Sequence, residues 1–220
     1  MERNRLYFRS LDQGLPVARY DFVSVDTELT GLDPRRDEIV SIGAVRIRNL
    51  RICLTECFHA YVKPEKPLPK DSTLIHRITP EQIEKAPPLA EVLPSFVDFC
   101  GGSLLVGHYI GLDMGFINRA CVRLFGSPMA NPCIDTLRLA QVYKEEQWEN
   151  YYDQFNLQIS YNLTDLAREY NIPVFQSHDA LQDAIQAAYL FLFLIKKLRN
   201  GDITTLKDLY MAGRSWRWLF

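Results

Sequence analysis

Residues 20–31 read YDFVSVDTELTG, and this stretch decides the fold. Its first eight residues are rich in β-branched and aromatic side chains, which predict a β-strand. Residues 31–34 (GLDP) predict a turn. Residues 38–48 (EIVSIGAVRIR) and 51–62 (RICLTECFHAYV) predict two more strands. Because the connections are short, we expect the three strands to form an antiparallel meander.

The pattern changes in the second half of the chain. Residues 64–94 contain seven prolines and predict a structured loop region with one short helix that begins at Thr79. Short strands at 104–107 and 133–134 then alternate with helices, which are predicted over 89–99, 114–125, 135–143, 162–170 and from 177–179 to about 200. Residues 144–161 predict an insertion or long loop. A meander followed by this alternation predicts an α/β fold with a mixed five-stranded sheet and helices on both faces.

The chain divides into three predicted parts. Residues 1–19 are expected to form a loosely ordered N-terminal arm, 20–200 the main domain, and 201–220 a C-terminal helix with an aromatic tail. The tail ends in RSWRWLF, which either folds back onto the domain or docks on a partner, and we favour folding back.

Composition excludes several classes of protein. With 220 residues, 47% hydrophobic and 24% charged, the chain is typical of a globular domain. A net charge of −2 argues against strong binding to nucleic acid through bulk charge, although a local basic cleft is compatible with it. Five cysteines without a CxxC pair favour a reducing, cytoplasmic compartment. The start lacks the apolar run of a signal peptide, and the most apolar run, 187–195, is about half a membrane span.

Two acids at the end of the first predicted strand point to a metal site. Asp26 and Glu28 are two positions apart, so they face the same side of a strand. Two adjacent carboxylates repel each other unless a cation lies between them, and oxygen ligands select Mg²⁺ or Mn²⁺. A solvated pair at a strand exit is the alternative interpretation.

Two further acids and a histidine extend this pattern. Asp113 follows a buried strand, where it is either a site residue or the N-cap of the next helix. Asp183 lies among alanines on an otherwise apolar helix, where an acid is out of place unless it serves a site. Asp179 is predicted to cap that helix, and His178 lies in the loop before it, from which it can reach over a site.

Three segments together resemble a known family. VDTELTGL (25–32), VGHYIGLDMGFIN (106–118) and HDALQD (178–183) are similar, in this order, to the motifs of the DEDD exonucleases, and specifically of the DEDDh branch. That branch includes the DnaQ-like proofreading epsilon subunit of bacterial DNA polymerase III. The flanking segments DEIVSIGAVRI, HRITPEQI and IDTLRLA also resemble the same family, so the resemblance covers residues 20–200.

The resemblance implies a fold, an activity and a set of site residues. The fold would be ribonuclease-H-like, and the activity would be metal-dependent 3′→5′ removal of nucleotides as 5′-monophosphates. Two divalent ions, Mg²⁺ or Mn²⁺, would be held by the four acids, with His178 as the general base. Residues that would contact the terminal nucleotide are Thr27, Leu29, Thr30, Asp71 and His76.

The chain departs from the family within two motifs, and in the second motif Leu112 stands where relatives often have phenylalanine. Leu29 stands where relatives often have threonine, and Tyr109 stands where they often have asparagine, so the contacts to the terminal base and sugar are expected to differ. The expected partner is a nucleic acid 3′ end, with DNA favoured over RNA, and proofreading would need a separate DNA polymerase chain. An RNA or oligoribonucleotide exonuclease and a non-catalytic module that binds nucleic acid or a polymerase are the alternatives.

Overall fold

A mixed sheet forms the centre of the protein. The computed structural model describes residues 2–147, 159–175, 177–198 and 203–212. The five strands are β1 (Phe22–Leu29), β2 (Ile39–Arg48), β3 (Arg51–Tyr61), β4 (Leu104–Gly107) and β5 (Cys133–Asp135), in the spatial order β3-β2-β1-β4-β5. The first three strands pair antiparallel, and β4 and β5 add in parallel, so the predicted meander and mixed sheet are confirmed.

Helices surround the sheet. Among the described residues their bounds are α1 (Glu2–Arg9), α2 (Lys70–His76), α3 (Pro80–Glu84), α4 (Leu89–Cys100), α5 (Gly111–Phe125), α6 (Thr136–Glu146), α7 (Leu163–Glu169), α8 (Ala180–Lys197) and α9 (Leu206–Ala212), and a 3₁₀ turn spans Val17–Arg19. One face of the sheet packs against α4 and α5, and the other face packs against α6 to α9. The prediction of helices on both faces is therefore confirmed.

The side chains of β1 supply both cores. Phe22 is fully buried in the core under α8, where its ring lies 5.1 Å from that of Phe191. Val23 and Val25 point the other way, into the core under α4 and α5. This alternation with a period of two fixes the face on which the polar residues at the end of β1 emerge.

Three local elements differ from the sequence-based expectations. The segment expected to be a patternless arm contains α1, and its end pairs with the segment before α9, since the Val17 amide donates to the Thr204 carbonyl at 2.9 Å. Helix α2 lies within the proline-rich region, where Pro69 precedes its first turn. Helix α5 begins at Gly111 rather than at residue 114, because a single helical turn precedes the apolar periodicity.

The C-terminal region is described in part. Leu206, Leu209 and Ala212 of α9 are buried in the same core as α8, so this helix packs on the domain. The aromatic tail beyond residue 212 and most of the predicted long loop, residues 148–158, lie outside the described residues. Within the described ranges, no helix combines the length and the apolar character that crossing a membrane requires.

Candidate active site

The end of β1 carries the first two acids. Asp26 and Glu28 share the face of β1 that carries Phe22, which is the face covered by α8. Glu28 is buried, with 8% of its surface exposed, and Asp26 is partly buried. The prediction that both acids face one side of a strand agrees with this register.

A glycine on β2 lets α8 approach the sheet. Gly43 is the cross-strand partner of Asp26, and a Cβ built on Gly43 would lie 2.1 Å from the Ala180 carbonyl carbon. That distance is far shorter than any side-chain contact allows, so the first turn of α8 rests directly on the backbone of β2. As a result Asp183, one turn into α8, is brought beside the acids of β1.

Asp113 joins the cluster from the opposite layer. Its carboxylate accepts hydrogen bonds from the Thr27 amide at 2.9 Å and from the Thr27 hydroxyl at 2.5 Å. Asp113 is the third residue of α5, whose N-cap position is Ile110, so the alternative role as an N-cap is wrong. The two hydrogen bonds tie α5 to the strand that carries the other acids, and they fix the Asp113 side chain.

His178 lies in the loop directly before α8. Asp179 caps the helix, since its carboxylate accepts from the Gln182 amide at 3.0 Å, which confirms the predicted cap. The His178 amide donates to Asp183 at 2.7 Å, while its side chain is exposed and its φ of 66° lies in the left-handed region. One ligand atom each of Glu28, His178 and Asp183 lie within 4.8 Å of one another.

The carboxyl groups of the cluster raise one another's pKa values, and a bound cation would stabilise their charged forms. Burial, followed by the charges of Asp113, Asp183 and Glu28, raises the pKa of Asp26 well above its ordinary value. Burial, followed by the charge of Asp183, raises the pKa of Glu28 to about 8. Burial also raises the pKa of Asp113 to about 7, although the Thr27 hydrogen bonds oppose this effect, and it raises the pKa of Asp183. A set of carboxylates that disfavour one another's charge, beside an imidazole, suits hard divalent cations.

The predicted substrate contacts lie around this cluster in different settings. His76 is buried in α2, accepts from the Ile78 amide through Nδ1 at 3.0 Å, and leaves its Nε2 without a hydrogen-bond partner. It lines a cleft of about 160 Å³ together with His178. Asp71 lies exposed in the first turn of the same helix.

The remaining predicted contacts are residues of the β1 end. Thr27 holds Asp113 as described above. Leu29 packs against the core under α4 and α5, and the Thr30 hydroxyl accepts from the Glu38 amide at 2.9 Å across the turn to β2. The assignment of these residues and of His76 and Asp71 to substrate contact stays a prediction.

Two residues that position the site were not anticipated in that role from the sequence. Gly43 has a signal, since glycine inside a strand often marks the close approach of another backbone. Asp135 stands at the start of the helix predicted over 135–143 and caps α6, since its carboxylate accepts from the Leu137 amide at 2.9 Å. Its carboxylate also accepts from the Tyr109 amide at 2.8 Å, and no sequence signal predicts that bond.

A mixed sheet in this strand order, with acids clustered where the central strand ends, is the arrangement of the ribonuclease-H-like fold. The chain belongs to the RNase T exonuclease family, because the family model described as exonuclease matches residues 23–191. The resemblance to the DnaQ-like exonucleases is thereby confirmed.

Curated relatives carry names that refer to DNA polymerase III. A DNA polymerase III subunit epsilon-like protein of Rhodobacter capsulatus is 36% identical over 207 residues, which cover 92% of this chain and 28% of that protein. The PolC-type DNA polymerase III of Thermotoga petrophila is 32% identical over 201 residues, which cover 91% of this chain and 14% of that protein. The chain therefore spans only a minor part of these relatives.

Solved structures share the fold. Exonuclease X in complex with 5′ overhanging duplex DNA superposes with a TM-score of 0.61 at 23% identity, covering 88% of this chain and 99% of that one. Exonuclease I of E. coli in complex with a dT13 oligonucleotide superposes with a TM-score of 0.69 at 20% identity, covering 82% of this chain and 42% of that one.

Proposed function

We propose that the chain is a metal-dependent 3′→5′ exonuclease that acts on DNA and releases 5′-mononucleotides. The observation that carries the proposal is the convergence of acids from β1, α5 and α8 beside His178. Asp26 and Glu28 come from one strand, and Asp113 and Asp183 come from helices on opposite faces of the sheet. A phosphodiester bond is itself anionic, so an acidic cluster serves its hydrolysis only together with bound cations.

The donor set fits two Mg²⁺ or Mn²⁺ ions. Asp26, Glu28, Asp113 and Asp183 would hold them, since each offers the oxygen ligands that hard dications select. When bound, such a pair of ions lowers the pKa of an attacking water and stabilises the charge on the leaving oxygen.

The chain's own residues would supply orientation and proton transfer. We assign to His178 the removal of a proton from the attacking water, because its imidazole is exposed and one ring nitrogen lies within 4.8 Å of the Glu28 and Asp183 carboxylates. The hydrogen bond from the His178 amide to Asp183 couples the position of this loop to that of a metal ligand. Thr27 keeps Asp113 in place, so the distance between the ligands is set before substrate binds.

The terminal nucleotide would lie between the end of β1 and α2. The orphaned Nε2 of His76 supports this placement, since a buried ring nitrogen without a partner costs free energy unless a ligand or water bonds to it. We assign Thr27, Leu29, Thr30 and Asp71 to the same pocket by their similarity to the DEDDh motifs.

The names of the relatives and neighbours support a substrate and a partner. The curated relatives carry DNA polymerase III names, and the solved neighbours hold DNA, so we propose DNA as substrate and a separate DNA polymerase chain as a partner. We further propose that residues 20–200 form the exonuclease domain, with 1–19 and 201–220 as flanking segments. All five cysteines are free, which supports a cytoplasmic location.

The decisive experiment is degradation of 5′-labelled single-stranded DNA and of RNA of the same sequence, with Mg²⁺, Mn²⁺ or a chelator. We expect shortening from the 3′ end, release of 5′-mononucleotides, faster digestion of DNA, and no reaction with chelator. Asp26→Asn should abolish the reaction, whereas Asp98→Asn, an exposed acid on α4, should leave it intact.

Other outcomes would select the alternatives. Faster digestion of RNA would assign the chain to RNA turnover. Tight binding without cleavage under any metal would make it a non-catalytic module. Equal activity of the Asp26→Asn variant would contradict the site.

A further inference from the structure

Tyr109, two residues after the end of β4, has an unusual backbone conformation. Its φ of 59° lies in the left-handed region, which bulky side chains rarely adopt and which suits glycine or asparagine. Its side chain is 60% exposed. Among the described residues its ring contacts no other ring, and its hydroxyl makes no hydrogen bond. A large aromatic ring is thus held outward in a costly backbone conformation without an internal partner.

The surrounding structure fixes this conformation from both sides. The Tyr109 amide donates to Asp135 at 2.8 Å, and its carbonyl accepts from the Leu112 amide at 3.0 Å. The preceding His108 is fixed as well, since its Nδ1 lies 3.0 Å from the Thr136 hydroxyl. Strain that the surroundings maintain is characteristic of functional positions, and a rigid support presents the ring at a defined place.

The sheet order places Tyr109 on the opposite side of the acids from His76. The cleft with His76 is lined by Ser41 of β2 and Tyr61 of β3. Tyr109 is tied to Asp135 at the end of β5, and it precedes Asp113 by four residues. The C-terminal ends of β1, β3, β4 and β5 and the N-terminal end of β2 lie at the same edge of the sheet. Along this edge the strands follow the order β3-β2-β1-β4-β5.

A nucleic acid strand that crosses this edge would pass His76, the acids of β1 and Tyr109 one after another. If the terminal nucleotide lies on the His76 side, then the scissile phosphate lies at the acids of β1, and the next nucleotide reaches the side of β4 and β5. Among the described residues, Tyr109 supplies an exposed aromatic ring that the fold fixes there. Aromatic rings bind successive unpaired bases by stacking, largely without regard to base identity.

We propose that Tyr109 is a specificity-determining residue that stacks on the base directly 5′ of the scissile phosphate and thereby favours single-stranded 3′ ends over paired ones. This inference rests on the proposed exonuclease function. A base within a duplex is already stacked on its neighbours and paired, so its face reaches the Tyr109 ring only after the end has melted.

The test compares Tyr109→Phe, Tyr109→Ala and Tyr109→Asn. Phenylalanine keeps the ring and removes the hydroxyl, while asparagine removes the ring and relieves the left-handed strain. Single-stranded DNA carries 2-aminopurine as the nucleotide 5′ of the scissile phosphate, and binding is followed by its fluorescence with Ca²⁺ in place of the catalytic ion. Degradation rates of single-stranded and blunt duplex DNA are measured in Mg²⁺, and melting temperatures verify folding.

We expect wild type and Tyr109→Phe to quench the fluorescence of the probe. Tyr109→Ala and Tyr109→Asn should lose the quenching and bind single strands about 5- to 100-fold more weakly, with little change on blunt duplex. Equal quenching and affinity in all variants, or a Phe variant as weak as the Ala variant, would overturn the role of the ring. Because quenching is read without cleavage, an inactive wild-type protein would refute the exonuclease function and still decide the role of Tyr109.

Discussion

Substitution of Gly43 by alanine tests how strongly the site depends on the close packing of α8 against β2. The new Cβ would lie 2.1 Å from the Ala180 carbonyl carbon and 2.2 Å from the Leu181 amide nitrogen, whereas ordinary contact begins at 3.4 Å. Both neighbours are backbone atoms, so no side chain can rotate away. The first turn of α8 must therefore move off β2 by about 1.3 Å, the difference between 3.4 and 2.1 Å.

This displacement acts on chemistry more than on stability. It moves His178 and Asp183 away from Glu28, and a misplacement of about 1 Å in a catalytic constellation costs about 100-fold in rate. Overpacking a core position costs about 1–3 kcal/mol, which a domain of this size tolerates. We therefore expect Gly43→Ala to melt at a moderately lower temperature but to degrade DNA about 100-fold more slowly at saturating substrate.

Gly111→Ala is the matched control, because a Cβ at Gly111 meets nothing within 4 Å and its φ is not in the left-handed region. The assay is single-turnover degradation of labelled single-stranded DNA, with thermal melting and a Mn²⁺ titration on the same samples. The reasoning fails if Gly43→Ala degrades DNA as fast as Gly111→Ala, or if its rate falls only as far as its folded fraction does.

Three further predictions concern the base, the acids and the C-terminal helix. His178→Ala should retain metal binding but lose about 10²–10⁴ in single-turnover rate, and a near-native rate would remove the imidazole from the mechanism. The raised pKa of Glu28, from 4.5 to about 8, means that the folded protein keeps a proton that the unfolded chain releases in this window, so the metal-free protein should lose stability as the pH rises through it. Melting curves across that range should show the loss, and Mg²⁺ should reverse it. Glu28→Gln should make the loss smaller, since Asp26, Asp113 and Asp183 still contribute; parallel pH profiles for the two proteins would contradict the assignment. Leu209→Ala of α9, which is 1% exposed in wild type, should cost about 2–5 kcal/mol in urea unfolding without changing kcat for the folded protein, and an unchanged midpoint would show that α9 contributes nothing to the domain.

Most of the fold and of the site was predicted from the periodicity of the apolar side chains and from the acidic residues that follow predicted strands. The alternation in residues 20–31 placed Asp26 and Glu28 on one face, and the alanines around Asp183 marked this acid as out of place unless it serves a site. Both signals are local, so they can be read from one segment at a time. The convergence of Asp113 with these acids came from the family resemblance, since spacing along the chain does not specify which strand ends meet.

Other features depend on contacts between distant segments. The Thr27 hydroxyl was expected at the edge of the nucleotide pocket, but it bonds to a residue 86 positions away. The conformation of Tyr109 depends on Asp135, 26 positions away in another strand. Hydrogen bonds of this kind follow from the packed backbone and leave no periodic signal in the sequence.

Two long-range contacts hold the site together, and each fixes a different helix to the sheet. The bonds between Thr27 and Asp113 fix the layer of α5 to β1, and the contact of Gly43 with Ala180 fixes the layer of α8 to β2, so acids from opposite faces of the sheet meet at a set distance. Mutual repulsion would separate carboxylates placed on flexible loops, whereas elements with buried cores on both faces resist it. His178 lies at the edge of this framework, since its side chain is exposed while its amide donates a hydrogen bond to Asp183. Rigid acids with the proposed base before α8 would suit the proposed exonuclease reaction, in which bound metal ions would have to stay while each product leaves.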